Sequence, residues 1–447
     1  MVGYGGAYGY AGGSYGYAPG GFPSIVSNQS WSDLTAFDYY VDPVSGSNAN
    51  PGTLASPYQT IAAAAANGNS VTIGLKRGTT HSGAVSLVSQ TLGAYGSGAK
   101  PILTHNSNAT ISASGSCRLQ NLDTRSTATS ATIAAVTVGG ASLIQGCAMS
   151  SNDNKCLTLS ACNGAIVEDC TFTDAVACAQ LCTLFQSVNC IVRRCTFNRT
   201  QTGSSNGVYV HGTGSTGHII EWCDVYSSVA DTSGTVISGV NVYFDFTSVD
   251  PIIVRFNRIR GNWDRYVFGQ RNTIVYGNLI DCRSSLANNI GITSTRGSTV
   301  TARANTILID TNTIYGMLAD NTTSGSTLNS TNNIIHATSG SPFYYGNSGS
   351  TIVANYNCYN GSLRASPFLA SNFATWQAGG QDTNGILDDP EFVSIGTGDL
   401  SLGQASPARR TGLRVTDYDY RVLLAQTTYG TSGIATRESV VNIGAMA

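Results

Sequence analysis

The sequence predicts an all-β fold: a right-handed, single-stranded parallel β-helix with a short N-terminal capping helix and a C-terminal closing segment. Three observations predict it. A seven-residue unit recurs through the middle of the chain, aligned units give columns of like side chains, and the composition is too poor in charge for amphipathic helices. The unit reads IVEDCTF (166–172), IVRRCTF (191–197), IIEWCDV (219–225), IVRFNRI (253–259), IVYGNLI (274–280), TARANTI (301–307), LNSTNNI (328–334) and VANYNCY (353–359), with LIQGCAM (143–149) ahead of them. Its fifth position is Cys147 and then Cys170, Cys195, Cys223, Asn257, Asn278, Asn305, Asn332 and Asn357, in steps of 21 to 34 residues. Steps of that size fit one three-strand coil of a solenoid with loops of varying length.

Each column has its own chemistry. Two places after the fifth position stand Phe172, Phe197, Val225, Ile259, Ile280, Ile307, Ile334 and Tyr359, a run of large apolar side chains that stacks into a core. The fifth position changes from Cys to Asn along the chain. Asn tolerates the left-handed turn conformation and can hydrogen-bond a stacked copy of itself; Cys fills the same small inward site as an apolar group. Two places before it come Glu168, Arg193, Glu221, Arg255, Tyr276 and Arg303. On strands ~4.8 Å apart these charges alternate in sign, and the expectation is a solvent-facing ladder of ion pairs, each worth little.

Only 11% of residues are charged, too few to coat the outer faces of amphipathic helices. The net charge of −2 gives no electrostatic reason to expect a nucleic-acid partner. Lysine occurs only as Lys76, Lys100 and Lys155. No apolar run reaches the ~18 residues of a membrane span. The N-terminal sequence lacks the basic and apolar regions of a secretory signal, so assembly in a cytoplasm and buried free thiols at the twelve cysteines are expected. No metal or cofactor is expected: the cysteines follow the coil spacing, Cys178 and Cys182 fit no zinc signature, and no P-loop, dinucleotide fingerprint or nucleophile elbow occurs.

Four segments follow. Residues 1–37 form a Gly/Tyr-rich arm whose Tyr4, Tyr8, Tyr10, Tyr15 and Tyr17 suit docking on another protein. Residues 38–82 open the solenoid: Ser56-Pro57 is the expected helix start, Ile61 to Ala66 the helix and Asn67-Gly68 its stop. Such a helix covers the unpaired edge of the first coil. The coils occupy 83–370, and 371–447 holds the last coils and the closing segment.

With these features the chain resembles the right-handed parallel β-helix superfamily, which includes pectate-lyase-like enzymes and phage tailspikes. YYVDPVSGSNANPGTLASPYQTIAAA (39–64) is similar to the opening segment of many such proteins. TWQAGGQDTNGILDDPEFV, GDLSLGQASPA and NIGA (375–393, 398–408, 442–445) are similar to the usual closing segment. The family ending carries an aromatic and an acid after Gly-Ala, whereas this chain has Met446-Ala447. The resemblance specifies a fold and not an activity. Polygalacturonase-like hydrolases carry paired aspartates, Gly-His-Gly and Arg-x-Lys; this chain has Val210-His211-Gly212, no Arg-x-Lys, and an Asp388-Asp389 pair in the closing segment. Polysaccharide lyases of this fold use a Lys or Arg base beside an aspartate-bound Ca²⁺, and no Lys follows position 155.

Long excursions on a rigid scaffold commonly carry function. The longest contains Tyr243, Phe244, Asp245 and Phe246, and the next coil brings Trp263, Asp264, Arg265 and Tyr266. Tyr243, Trp263 and Tyr266 are candidate faces for a sugar ring, with Arg265 to fix its hydroxyls, and Asp245 with Asp264 is the candidate acid–base pair. The competing reading buries these aromatics in the core. His211 reads as a loop or stacked histidine before a general base, and Asp231 and Asp281 as turn acids. The expectation for function is a virion-associated β-helix resembling a tailspike or tail fibre, which recognises or degrades host surface polysaccharide, docks through its arm on tail or capsid proteins and forms the homotrimer usual for such proteins. A pectate-lyase-like lyase or hydrolase, and a non-catalytic decoration protein of a virus particle, stay open.

Overall fold

A computed structural model describes residues 34–409, except 107–108, 128–133, 153–154, 176–177, 203–205, 231–235, 244–249, 287–288, 321–324, 338–342, 347, 362–371, 396–398 and 403–404. Three parallel sheets of 13, 13 and 11 strands run along it, and successive coils give one short strand to each in turn. The first sheet runs from Tyr39–Val41 to Thr351–Asn355, the second from Thr80–Ser82 to Ile386–Leu387, and the third from Val85–Val88 to Tyr344–Gly346. The chain is therefore a parallel β-helix. An antiparallel pair, Phe392–Ser394 with Asp399–Leu402, follows the last coil.

The apolar column stacks in register: Phe172 on Phe197, then Val225, Ile259, Ile280, Ile307, Ile335 and Tyr359. The first two rings lie 4.8 Å apart and 5° from parallel. The register corrects one unit by a residue: Ile335, not Ile334, is in the core column, and Asn333, not Asn332, occupies the ladder. Asn332 has φ 57° and joins Asp169, Arg194, Trp222, Phe256, Ala304 and Tyr356, all with φ between 50° and 58°. The left-handed turn thus falls one place before the ladder residue.

The ladder itself is buried. Asn257, Asn278, Asn305, Asn333 and Asn357 have at most 2% of their surface exposed. Each takes the previous coil's backbone N–H on its Oδ1, from Cys223 N to Asn257 (2.9 Å) through Asn333 N to Asn357 (2.9 Å). From Asn257 on, each Nδ2 donates to the next Oδ1. Aligned amides need an acceptor at the far end, and Asp382 supplies it, taking Asn357 N at 3.1 Å and Nδ2 at 2.9 Å. Tyr359 Oη and, at 3.3 Å, Trp376 Nε1 donate to its other oxygen. Trp376 comes from the short helix Phe373–Ala378, capped by Asn372, and is buried against the end of the core. Toward the N-terminus the thiols of Cys147, Cys170, Cys195 and Cys223 fill the same column.

The charged column is not solvent-facing, contrary to expectation. Glu168 has no exposed surface; Arg193 Nη2 lies 2.7 Å and Arg194 Nη2 2.9 Å from its Oε2, and Gln145 Nε2 donates to its other oxygen. Arg255 pairs with Glu221 at 2.6 Å, again nearly buried. These are buried ion pairs, whose loss on one side is costly.

The opening helix is Ile61–Ala65, and its cap is Thr60, whose Oγ1 accepts from Ala63 N, rather than Ser56. Asn67 closes it by donating to Ala63 O and Ala64 O. Ahead of the first strand, Phe37 lies over Gly74 and Gly93, where any Cβ would come within 2.6–2.9 Å of its ring, and Leu34 N donates to Gln120 Oε1. The last residues of the expected arm therefore pack on the chain's own first sheet. Tyr4, Tyr8, Tyr10, Tyr15 and Tyr17 lie outside the described residues.

One corner predicts a pH effect. His218 is fully buried, with Nδ1 accepting from Cys190 N (3.1 Å) and Nε2 at 3.0 Å from Ser215 Oγ. Burial first, then Arg271, pushes it down to about 4. A depressed folded pKa means that the unfolded chain takes the proton first. The stability from burying the neutral ring is complete above ~6.5 and is lost as pH falls toward 4. Between pH 7.5 and 5 the native chain should lose about 2 kcal/mol more than His218→Gln. Denaturant titrations at the two pH values measure this, and equal losses would contradict it.

Candidate functional site

The third sheet carries an unusual outer face. Its strands Gln180–Phe185, Asn206–His211, Ser238–Val242, Arg265–Gly269 and Asn289–Ser294 align Thr183, Tyr209, Asn241, Phe268 and Thr293 in one outward column, and Phe185 with His211 in another. Tyr243 follows the third of these strands beside His211. Strand alternation places these side chains opposite the core residues Cys182, Val208, Val240, Val267 and Ile292.

Two kinds of side chain share this face. His211 stacks on Tyr209 at 4.4 Å and 21°, Phe185 lies 4.8 Å from His211, and Tyr209 meets Tyr243 edge-on at 5.9 Å. All four are half-buried, so they form a continuous aromatic floor over three coils. Beside them are polar groups. Asn241 Nδ2 donates to Asn206 Oδ1 and Gln270 Nε2 to Asn241 Oδ1, each at 3.3 Å. Thr158 Oγ1, Thr183 Oγ1, Thr293 Oγ1, Gln180 Oε1, Ser238 Oγ, Gln270 Oε1 and His211 Nε2 are buried without a hydrogen-bond partner. A buried polar atom left in that state costs ~1–3 kcal/mol, and folds keep few of them. Six of the seven belong to strands of the third sheet, and Gln270 follows one directly.

His211 is pushed down to about 4 by burial, and the charges it feels are Lys155 and Arg271. Its ring is therefore neutral at pH 7. Burial and Tyr243 push Tyr209 up to about 12. Arg271 Nε donates to Tyr243 O at 2.7 Å, and its Nη1 donates to Ser215 O, which fixes the guanidinium beside the floor. Arg296 is exposed, 5.9 Å from the Tyr243 ring. Among the described residues no cluster of three metal-ligating side chains occurs.

The sequence candidates divide. Tyr243 belongs to the aromatic floor. Trp263 and Tyr266 do not: both are fully buried, Trp263 Nε1 donating to Arg260 O (3.0 Å) and Tyr266 Oη to Gly261 O. Tyr266 lies between Gly239 and Gly291 on the adjacent coils, where a Cβ on Gly239 would run into Ile259 and on Gly291 into the backbone of Gly316. Neither Trp263 nor Tyr266 can present a face to a sugar. Arg265 is half-buried, with Nη1 donating to Asp264 O at 2.9 Å. Asp264 accepts Ile237 N on Oδ2 at 2.8 Å, tying two coils together. Asp245 lies outside the described residues, as does Asp231, while Asp281 pairs with Arg283 at 2.8 Å, as befits a turn acid. Sequence reasoning passed over Tyr209 and Thr183. The available signal was their alternation with Val208, Val210, Cys182 and Leu184, which sends them outward.

No protein-family model and no curated protein match the chain. Among solved structures it is similar to a GH136 lacto-N-biosidase from Eubacterium ramulus. For the native protein the identity is 10%, over 72% of this chain and 67% of that one, with a TM-score of 0.40. The selenomethionine derivative of the same protein gives 12%, 78%, 67% and 0.26. Likeness at this level does not extend to side-chain chemistry.

Proposed function

We propose that the outer face of the third sheet binds a polysaccharide, and that the chain is a virion-borne, tailspike- or tail-fibre-like β-helix recognising host surface glycan. The observation that supports this reading is the half-buried Phe185–His211–Tyr209–Tyr243 floor, with the amides of Asn206, Asn241 and Gln270 beside it. Sugars need both: an apolar ring face to stack on and fixed polar groups for their hydroxyls. A glycan stretched along the coil axis would cross a new row of such groups every ~4.8 Å.

Binding without turnover is the expectation. Glycoside cleavage requires a carboxylic acid and a carboxylate at matched separation, and the floor residues Phe185, Tyr209, His211 and Tyr243 carry no carboxyl group. The test is an array of bacterial capsular and O-antigen polysaccharides, with reducing-end release and unsaturated-product absorbance followed on every hit. Tyr209→Ala combined with Tyr243→Ala should weaken binding about tenfold or more, the loss of ~1.4 kcal/mol of stacking, without altering the circular dichroism spectrum. No hit on the array, or hits that survive the double substitution unchanged, would overturn the proposal.

A further inference from the structure

We infer that residues 22–33 run up the outer face of the first sheet and cover a stripe of apolar side chains there. The stripe is Leu143, Ile166, Ile191, Ile219, Ile253 and Ile274, paired in register on successive coils. Strand alternation turns them outward, since the residue after each, from Ile144 to Val275, lies in the core. All six are half-buried. Ile253 and Ile274 pack against Phe256, Tyr276 and Ala304, which bounds the stripe at one end. An unbroken file of aliphatic side chains on an outer face is the kind of surface that proteins cover. This face is separate from the glycan site, which lies on the third sheet.

The path of the chain itself points to the occupant. Read backward from the first strand, it passes Asp38, whose carboxylate accepts Thr72 N at 2.8 Å, lays Phe37 over Gly74 and Gly93, and brings Leu34 N to Gln120 Oε1 at 3.2 Å. Gly74, Gly93 and Gln120 belong to the strands Thr72–Lys76, Thr91–Tyr95 and Arg118–Gln120 on successive coils of the first sheet. From Phe37 to Leu34 the chain therefore advances one to two coil steps, ~5–10 Å, a distance that three extended residues cover. It crosses the strands and climbs along the solenoid axis. The strand of Gln120 pairs with that of Leu143, so Leu34 stands at the foot of the stripe.

Length and composition fit. Six coil steps separate the strand of Gln120 from that of Ile274, roughly 29 Å, which about nine extended residues span. The Gly-rich run ends at Gly21, and FPSIVSNQSWSD (22–33) follows with Phe22, Ile25, Val26 and Trp31. A segment tethered at the foot of the stripe meets it at a high effective concentration, an advantage that a separate partner lacks. Covering the stripe makes no use of Tyr4, Tyr8, Tyr10, Tyr15 or Tyr17.

The test uses the full-length chain with Ile191 replaced by the photoreactive p-benzoylphenylalanine, irradiated in dilute solution and mapped by mass spectrometry. Crosslinks within one chain to the peptide of residues 22–33 are the expected result. In a second measurement, Ile166→Asn with Ile219→Asn should speed chymotrypsin cleavage after Trp31 at least tenfold and leave cleavage after Tyr17 as it is. Both isoleucines point away from the core, so the circular dichroism spectrum should not change. Crosslinks to a second copy would overturn the inference and make the stripe an interface between chains. Crosslinks that miss residues 22–33, or cleavage after Trp31 that the paired substitution leaves unchanged, would overturn it as well.

Discussion

Replacing Asn305 by Ala should destabilise the chain by roughly 2–4 kcal/mol, one orphaned buried donor, several weakened bonds and a small cavity together. Asn305 has no exposed surface. Its Oδ1 accepts Asn278 N at 3.0 Å and Asn278 Nδ2 at 2.9 Å; its Nδ2 donates to Val275 O at 2.8 Å and Asn333 Oδ1 at 2.9 Å. Truncation leaves Asn278 N buried without this partner, at ~1–3 kcal/mol, takes one bond each from Asn278 Nδ2, Val275 O and Asn333 Oδ1 on the two flanking coils, and adds a small cavity. Water cannot replace the amide, because the ladder lies inside the core. Asn305→Cys should cost less than Asn305→Ala, since thiols already fill the equivalent position at Cys195 and Cys223, where Cys195 Sγ lies 3.7 Å from Val167 O. Denaturant unfolding of the two variants checks this, and an Ala cost below ~1 kcal/mol would mean that the ladder contributes no net stability.

Replacing Glu168 by Leu alone should cost about 3–5 kcal/mol, whereas replacing Glu168 and Arg193 together by Leu should cost much less. The single change leaves Arg193, with 8% of its side chain exposed, without its 2.7 Å partner. An uncompensated buried charge is the most expensive residue of a broken ion pair. Arg194 is protected from the same fate by Asp169, which it holds at 2.8 Å. The double change removes both charges and leaves a leucine pair on adjacent coils, an exchange that is often near neutral. A double-mutant cycle gives the coupling directly. Equal costs for the single and double variants would show that the column behaves as a solvated surface ladder after all.

The coil, its core column and most of the ladder were legible in the sequence, because stacking forces like residues to recur at one place in each turn. The offset at 328–334 arose where two asparagines and two isoleucines stand in succession, so that Asn332–Ile334 and Asn333–Ile335 satisfy the pattern equally; only strand pairing separates them. Burial of the charged column was hidden for a different reason. Alternating signs on adjacent rungs look the same on a wet face and a dry one, and only the packing of Arg194 and Gln145 around Glu168 excludes water. For Trp263 and Tyr266 residue type left a sugar-stacking face and a place in the core both open, and only the packing of the coils decides for the core. The aromatic floor escaped notice since Phe185, Tyr209 and Tyr243 come from three coils and meet only when these stack.

Hydrogen–deuterium exchange of the chain with and without an array-selected polysaccharide tests the glycan-binding face most directly. Protection gained in the strands Gln180–Phe185, Asn206–His211 and Ser238–Val242, with the outer strands of the first and second sheets unchanged, is the predicted result. Protection confined to the first or second sheet, with those three strands unaffected, would contradict it.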